Sequence, residues 1–276
     1  MQGFGDMIPT QPSLREQVIV ITGATSAIGL ATAEIAAERG ATVVLAAQSQ
    51  LDLAGAVARI AQKGGCVTTV AADVGNERHI AQIGVAAVRQ FGRIDTWVNG
   101  AGGGLHGALL EQPVREARRL FDLTFWSVVY GCRVAVEHMR SRGGTIVNVG
   151  NGVSDHTAAL VGIDLVSKQA VRTYTDALRT ELRQAGAPVQ VCFVKPVPIE
   201  APPLPYGPIN VERKARRRLA QPPEAVARAI LRCAEKPVRE VRVSGAPRLQ
   251  LSLSTIAPPM VALGAVVAVG VAASRR

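Results

Sequence analysis

Cysteine is scarce in this chain: four residues, Cys66, Cys132, Cys192 and Cys233, stand far apart in sequence with no CxxC pair. That spacing points to neither a zinc site nor a disulfide framework, and it suits a reducing cytoplasm. A basic-then-apolar run is missing from Met1 to Arg15, which carries Asp6 and two prolines, so a cleaved secretory leader is not expected. Charge is missing from Leu249 to Ala273, a stretch bracketed by Arg248, Arg275 and Arg276. A helix of that length reaches across a bilayer, but Pro258 and Pro259 cut the helical part to about 14 residues, which is the length of a buried helix or an apolar subunit contact. Docking in protein and membrane association through residues 249–273 both stay open.

What is present is apolar bulk. With 276 residues and 48% of them hydrophobic, the chain can bury a large core. It reads as an N-terminal arm (1–14), one α/β domain (15–248) and the apolar tail (249–276). The net charge of +10 would suit an anionic partner, but the arginines are spread along the whole length rather than clustered, so no nucleic-acid footprint is expected.

Short β-branched runs without alternation, as in strands covered on both faces, fall at Gln17–Ile21, Ala41–Ala46, Cys66–Ala71, Thr96–Asn99, Thr145–Val149 and Val189–Val194, with a last one at Glu240–Val243. Helical patterns lie between them, one running to Arg39 where Gly40 stops it, another from Leu51 to Gln62 before Gly64-Gly65. Strand and helix alternating over this length give a single Rossmann-type doubly wound parallel sheet with helices on both faces. Pro196 to Gln221, rich in proline and then in arginine, reads as a long loop or lid over a ligand crevice.

Five motifs follow one another in this frame: Thr22-Gly23-Ala24-Thr25-Ser26-Ala27-Ile28-Gly29 after the first strand, Asp73-Val74 after the third, Asn99-Gly100-Ala101-Gly102 after the fourth, Ser167-Lys168 heading a helix, and Lys195-Pro196 after the sixth. In order and spacing the chain resembles the short-chain dehydrogenase/reductase family, from about Arg15 to Gly245. The resemblance implies an NAD(P)-binding oxidoreductase. It places Gly23, Ser26, Ala27, Ile28 and Gly29 at the cofactor phosphates, Asp73 and Val74 at the adenine, Asn99, Gly100 and Ala101 on the adenosine side, and Lys168 at the nicotinamide ribose, with Pro196 bordering the site. Ala27 stands where the family has a glycine, Gly100 where it has a second asparagine, and Val197 where it has a glycine, so cofactor affinity is expected to be altered. At the end of the second strand Gln48 carries neither the acidic residue of NAD users nor the arginine of NADP users, and the choice between NAD and NADP stays open.

The family's catalytic asparagine, serine, tyrosine and lysine fall, by the same resemblance, on Thr124, Asn151, Asp164 and Lys168; only the lysine is kept. A carboxylate four residues before a lysine on one helix face forms an ion pair and stays charged at neutral pH. It has no proton to give a developing alkoxide, and its charge beside that oxygen opposes the reduction. Tyr174, six residues past Lys168, lies on another helix face and reads as core. The expectation is a family member that binds nucleotide, weakened or not, without the tyrosine-dependent chemistry: a pseudoenzyme acting as a binding, sensing or subunit partner. The alternative is an active oxidoreductase on an alcohol or carbonyl compound, with His156 beside Asp155, His106, or a water as proton donor. The resemblance also implies a homo-oligomer built through Val114–Arg140 and Asp155–Gln184. It leaves the small-molecule substrate unspecified.

Overall fold

The computed structural model of the chain describes residues 11–105, 107–150, 162–196 and 221–243. The expectations for His106, Asn151, Asp155, His156, Val197 with residues 198–220 of the expected Pro196–Gln221 loop, and the tail from Leu249 lie outside the described residues.

Seven strands form one sheet: β1 (Val18–Thr22), β2 (Thr42–Ala47), β3 (Val67–Ala71), β4 (Thr96–Asn99), β5 (Gly144–Val149), β6 (Val189–Pro196) and β7 (Glu240–Val243). Their order is β3-β2-β1-β4-β5-β6-β7, and every neighbouring pair is parallel. Burial follows position. β1, β2 and β4, inside the sheet, are buried almost throughout, whereas the edge strand β3 is half-buried to exposed along its length, which is why threonines serve there. The strands agree with the apolar runs to within one or two residues. The largest difference is β6, which continues through Lys195 and Pro196, because β7 pairs with it up to Val243.

The helices are α1 (Ala27–Glu38), α2 (Gln50–Ala61), α3 (Glu77–Phe91), α4 (Val114–Phe121), α5 (Ser127–Met139), α6 (Gly162–Gln184) and α7 (Pro223–Glu235). Side-chain oxygens of Ser26, Ser49 and Asn76 accept backbone N–H bonds at the starts of α1, α2 and α3, and Gly40 and Gly92 turn the chain out of α1 and α3 at positive φ. One core lies between the sheet and α1, α2 and α7; the other lies between its opposite face and α3, α5 and α6. Cys192 and Cys233, far apart in sequence, lie in the first of these cores as free thiols.

α4 and α5 form one helical run interrupted by a π-turn over Asp122–Trp126. Such turns insert a residue and re-aim the side chains around them, often at functional sites. α6 runs on from Gly162, so Ser167 and Lys168 sit in its second turn rather than at its head. Among the described residues no helix is long and apolar enough to cross a membrane.

Candidate functional site

The strand order reverses between β1 and β4, and in a wound sheet the crevice beyond the carboxyl ends of the strands at that point receives ligands. Thr22 at the end of β1 is level with Asn99 of β4, and Asn99 with Asn148 of β5. Gly23 then turns the chain at φ +66°, and a Cβ there would stand 2.7 Å from the Ala101 Cα, so the first turn rests backbone to backbone on the loop after β4. A Cβ on Gly29 would fall 2.2 Å from the Gly23 carbonyl oxygen, so α1 leans on the same turn. These two glycines are required by packing.

The phosphate-binding capacity of this end lies in the backbone between them. Ser26 Oγ accepts the Gly29 N–H at 3.1 Å. The Ala27 and Ile28 N–H groups head the helix, where geometry supplies no intrahelical acceptor, and both residues are half-buried. Donors of that kind, at the positive end of α1, fit a dinucleotide pyrophosphate. The Ala27 methyl is carried by one of those two residues, so it borders the same opening.

On the adenosine side, Gln48 is exposed just past β2. Val74 is buried, and Asp73 is half-buried and already engaged: Arg119 of α4 donates to both carboxylate oxygens at 2.9 Å, and the Gly75 N–H donates at 3.0 Å. Partial burial pushes the Asp73 carboxyl up, but the Arg119 guanidinium and the Gly75 N–H outweigh it and hold the group below its ordinary 3.8. Arg119 was not among the residues singled out in the sequence. Lying 46 positions from Asp73 in a basic helix, it carries no local signal that it belongs to this loop.

Asn99 is buried, and the loop from Gly100 to Ala101 returns to β1 through the Gly100 N–H, which donates to Thr22 Oγ1 at 3.3 Å. Pro196 closes β6 beside β7 and is buried.

In the catalytic half, the ion pair expected from sequence is formed: Lys168 Nζ donates to Asp164 Oδ2 at 2.7 Å across one turn of α6. Asp164 is 6% exposed, and its second oxygen, Oδ1, is buried without a hydrogen-bond partner. Thr124, in the π-turn that packs against α6, is also buried, with the Gly103 N–H 3.5 Å from its Oγ1. Tyr174 points away from this group and meets Phe125 edge-on at 6.0 Å between ring centroids. Burial pushes its hydroxyl well above the ordinary value of 10. Trp126 is 43% exposed. It lines an outer groove of about 510 Å³ with Leu109, Val114, Phe121 and Ile163. Within the described residues, Asp164 at the start of α6 presents an acceptor tied to Lys168.

Comparison with known proteins agrees with this architecture. The family model for short chain dehydrogenases matches residues 17–204. The chain is 38% identical over 249 residues to the uncharacterized oxidoreductase YxnA of Bacillus subtilis (strain 168), covering 89% of this chain and 70% of that protein. A short chain dehydrogenase/reductase from Burkholderia phymatum, solved in complex with NAD, superposes with a TM-score of 0.78 at 25% identity over 91% of this chain and 96% of that one. A metagenomic short-chain oxidoreductase solved with NADP superposes with a TM-score of 0.71 at 25% identity, covering 86% and 100%. The chain belongs to the short chain dehydrogenase family.

Proposed function

We propose that this protein binds a nicotinamide dinucleotide in the crevice between β1 and β4 but has lost the family's tyrosine-dependent hydride transfer, and that it acts as a nucleotide-dependent binding, sensing or subunit partner. The observation that carries the reading is the Lys168–Asp164 ion pair, with the carboxylate buried and the lysine partly exposed. A nicotinamide cofactor supplies or takes a hydride. The protein must then move a proton at the substrate oxygen, and a carboxylate held by an ammonium group at 2.7 Å is an acceptor with nothing to donate. Nucleotide binding is supported by the open N–H groups of Ala27 and Ile28 and by the NAD and NADP bound to the two solved relatives.

The test is calorimetric titration of the purified protein with NADH and NADPH, alongside turnover on a panel of aldehydes and ketones. Saturable binding without turnover is the expected result. Robust carbonyl reduction that disappears in Lys168→Ala would falsify the loss of chemistry.

A second reading, an active oxidoreductase with another proton donor such as His156 or a water, is favoured by the oxidoreductase designation of the 38% identical relative. Turnover that survives Asp164→Asn but not His156→Ala would select it.

Self-association through α4, α5 and α6 is part of the proposal. Trp126 is 43%, Val114 67% and Val166 55% exposed on this run, and Trp126 stacks on the partly buried Tyr130. Exposed apolar side chains in such a group suit a subunit contact. Light scattering on Val166→Asp, expected to show a smaller species than the parent, tests it.

A further inference from the structure

Beneath the crevice lies a chain of buried polar side chains with only one possible direction. The indole N–H of Trp97, which can only donate, bonds Asn99 Oδ1 at 2.8 Å. That fixes the Asn99 amide, whose Nδ2 donates to Asn148 Oδ1 at 2.8 Å. The Asn148 amide is fixed in turn, and its Nδ2 donates to Thr175 Oγ1 at 2.8 Å. The Thr175 hydroxyl is left to donate to the Val171 carbonyl of α6 at 2.7 Å. Trp97, Asn99, Asn148 and Thr175 are all at most 2% exposed, so water cannot substitute for any link. Cys132 adds weaker sulfur contacts to both asparagines at 3.6–3.7 Å, and the same burial raises its thiol to about 12, which keeps it protonated.

The two ends of this chain belong to different parts of the site. Asn99 begins the loop that supports the first turn, where the Gly23 backbone rests on Gly100 and Ala101. Val171 lies one turn beyond Lys168 on α6, next to the helix segment carrying the Lys168–Asp164 pair. No backbone hydrogen bond crosses between β4 and α6. We propose that Asn148 and Thr175 are positioning residues for nucleotide binding: they lock the loop after β4 to α6, so that the phosphate-binding end and Lys168 are held at one spacing. The inference rests on the reading of the crevice as a nucleotide site.

The mechanism of failure is specific. Without the Thr175 hydroxyl, Asn148 Nδ2 keeps only the weak Cys132 sulfur contact at 3.7 Å, and the amide can recover a full partner only by rotating, which breaks its bond to Asn99. The loop then loses its reference to α6 while the sheet, held by its own ladders, stays intact.

Thr175 allows the hydroxyl to be separated from the methyl. Thr175→Val keeps the shape and removes the hydrogen bonds; Thr175→Ser keeps the hydroxyl and removes packing. The control for general destabilisation is Ile230→Val, in the opposite core. For the full chain titrated with NADH and NADPH by calorimetry, with thermal midpoints measured in parallel, Thr175→Val is expected to weaken binding about tenfold, the order of one lost buried hydrogen bond. Thr175→Ser and Ile230→Val are expected to bind within about twofold of the parent at comparable or greater loss of thermal midpoint. Equal affinities for the valine and serine variants overturn the positioning role while leaving the nucleotide site standing. Absence of nucleotide binding in the parent protein overturns both.

Discussion

The two ends of the crevice are built from different materials. At the phosphate end the working groups are backbone: the Ala27 and Ile28 N–H donors, placed by Gly23 and Gly29, whose hydrogens lie where any side chain would strike the Ala101 Cα or the Gly23 carbonyl. At the end proposed as the catalytic one they are side chains: Thr124 in the π-turn and the Asp164–Lys168 pair on α6. A backbone site disappears only with the fold, and a side-chain site can be replaced with the fold untouched. The agreement of the sheet order with the solved relatives therefore speaks for the fold and its backbone turns rather than for the side chains.

The largest effect should follow from breaking the backbone end. Gly29→Ala puts a methyl 2.2 Å from the Gly23 oxygen and is expected to cost about 3 kcal/mol or more, with loss of nucleotide binding, whereas Gly102→Ala, where nothing lies within 4 Å, should be nearly neutral. Thermal denaturation of the two variants is the measurement, and equal midpoints would remove the contrast between the two ends.

The catalytic end should be repairable without touching the fold. On the proposed reading, the combined change Thr124→Asn, Asn151→Ser and Asp164→Tyr gives the chain the asparagine, serine and tyrosine that the family resemblance implies beside Lys168. If the frame is intact, NAD(P)H-dependent carbonyl reduction should appear at about a hundredfold or more above the parent, the usual contribution of a placed general acid. Circular dichroism should be unchanged. Failure of a folded, nucleotide-binding triple variant to turn over would show that the departures at Ala27, Gly100 and Val197 matter as well.

The smallest effect concerns the adenosine side, where backbone and side chain are mixed. The Asp73 carboxyl is held below 3.8 in the folded protein, so its contribution to stability is present above that value and is lost as pH falls through the depressed one. Arg119→Ala should therefore be less stable than the parent at neutral pH, by less than about 1 kcal/mol because the pair is open to solvent, and the difference should vanish in acid. Urea midpoints at pH 7 and pH 3 report it.

Legibility in the sequence followed the distance between partners. β4 and β7 have the bounds that their apolar runs suggested, and the Asp164–Lys168 pair, four residues apart on one helix, could be read from spacing alone. The sequence suggests Trp126 near the crevice and does not announce the groove that it borders with Val114 and Ile163, because the π-turn takes the helical run out of the simple 3.6 period just where it stands. The Asp73–Arg119 pair joins a loop after β3 to a helix after β4, and nothing local in either segment announces the other. That Cys192 and Cys233 share one core was hidden for the same reason: one is on a strand and the other on a helix that covers it.

By itself the amino-acid order determined the alternation of strand and helix, the parallel sheet, the position of the first glycine turn and the ion pair of α6, because each depends on periodicity or on neighbours within a turn. Only the tertiary structure decided that Gly23 and Gly29 are needed for packing, that Arg119 holds Asp73, and that Trp97, Asn99, Asn148 and Thr175 form one directed chain under the crevice. These contacts depend on strand order and on which helix covers which face. They arise only when residues far apart in sequence are buried together and each polar group must find a partner away from water.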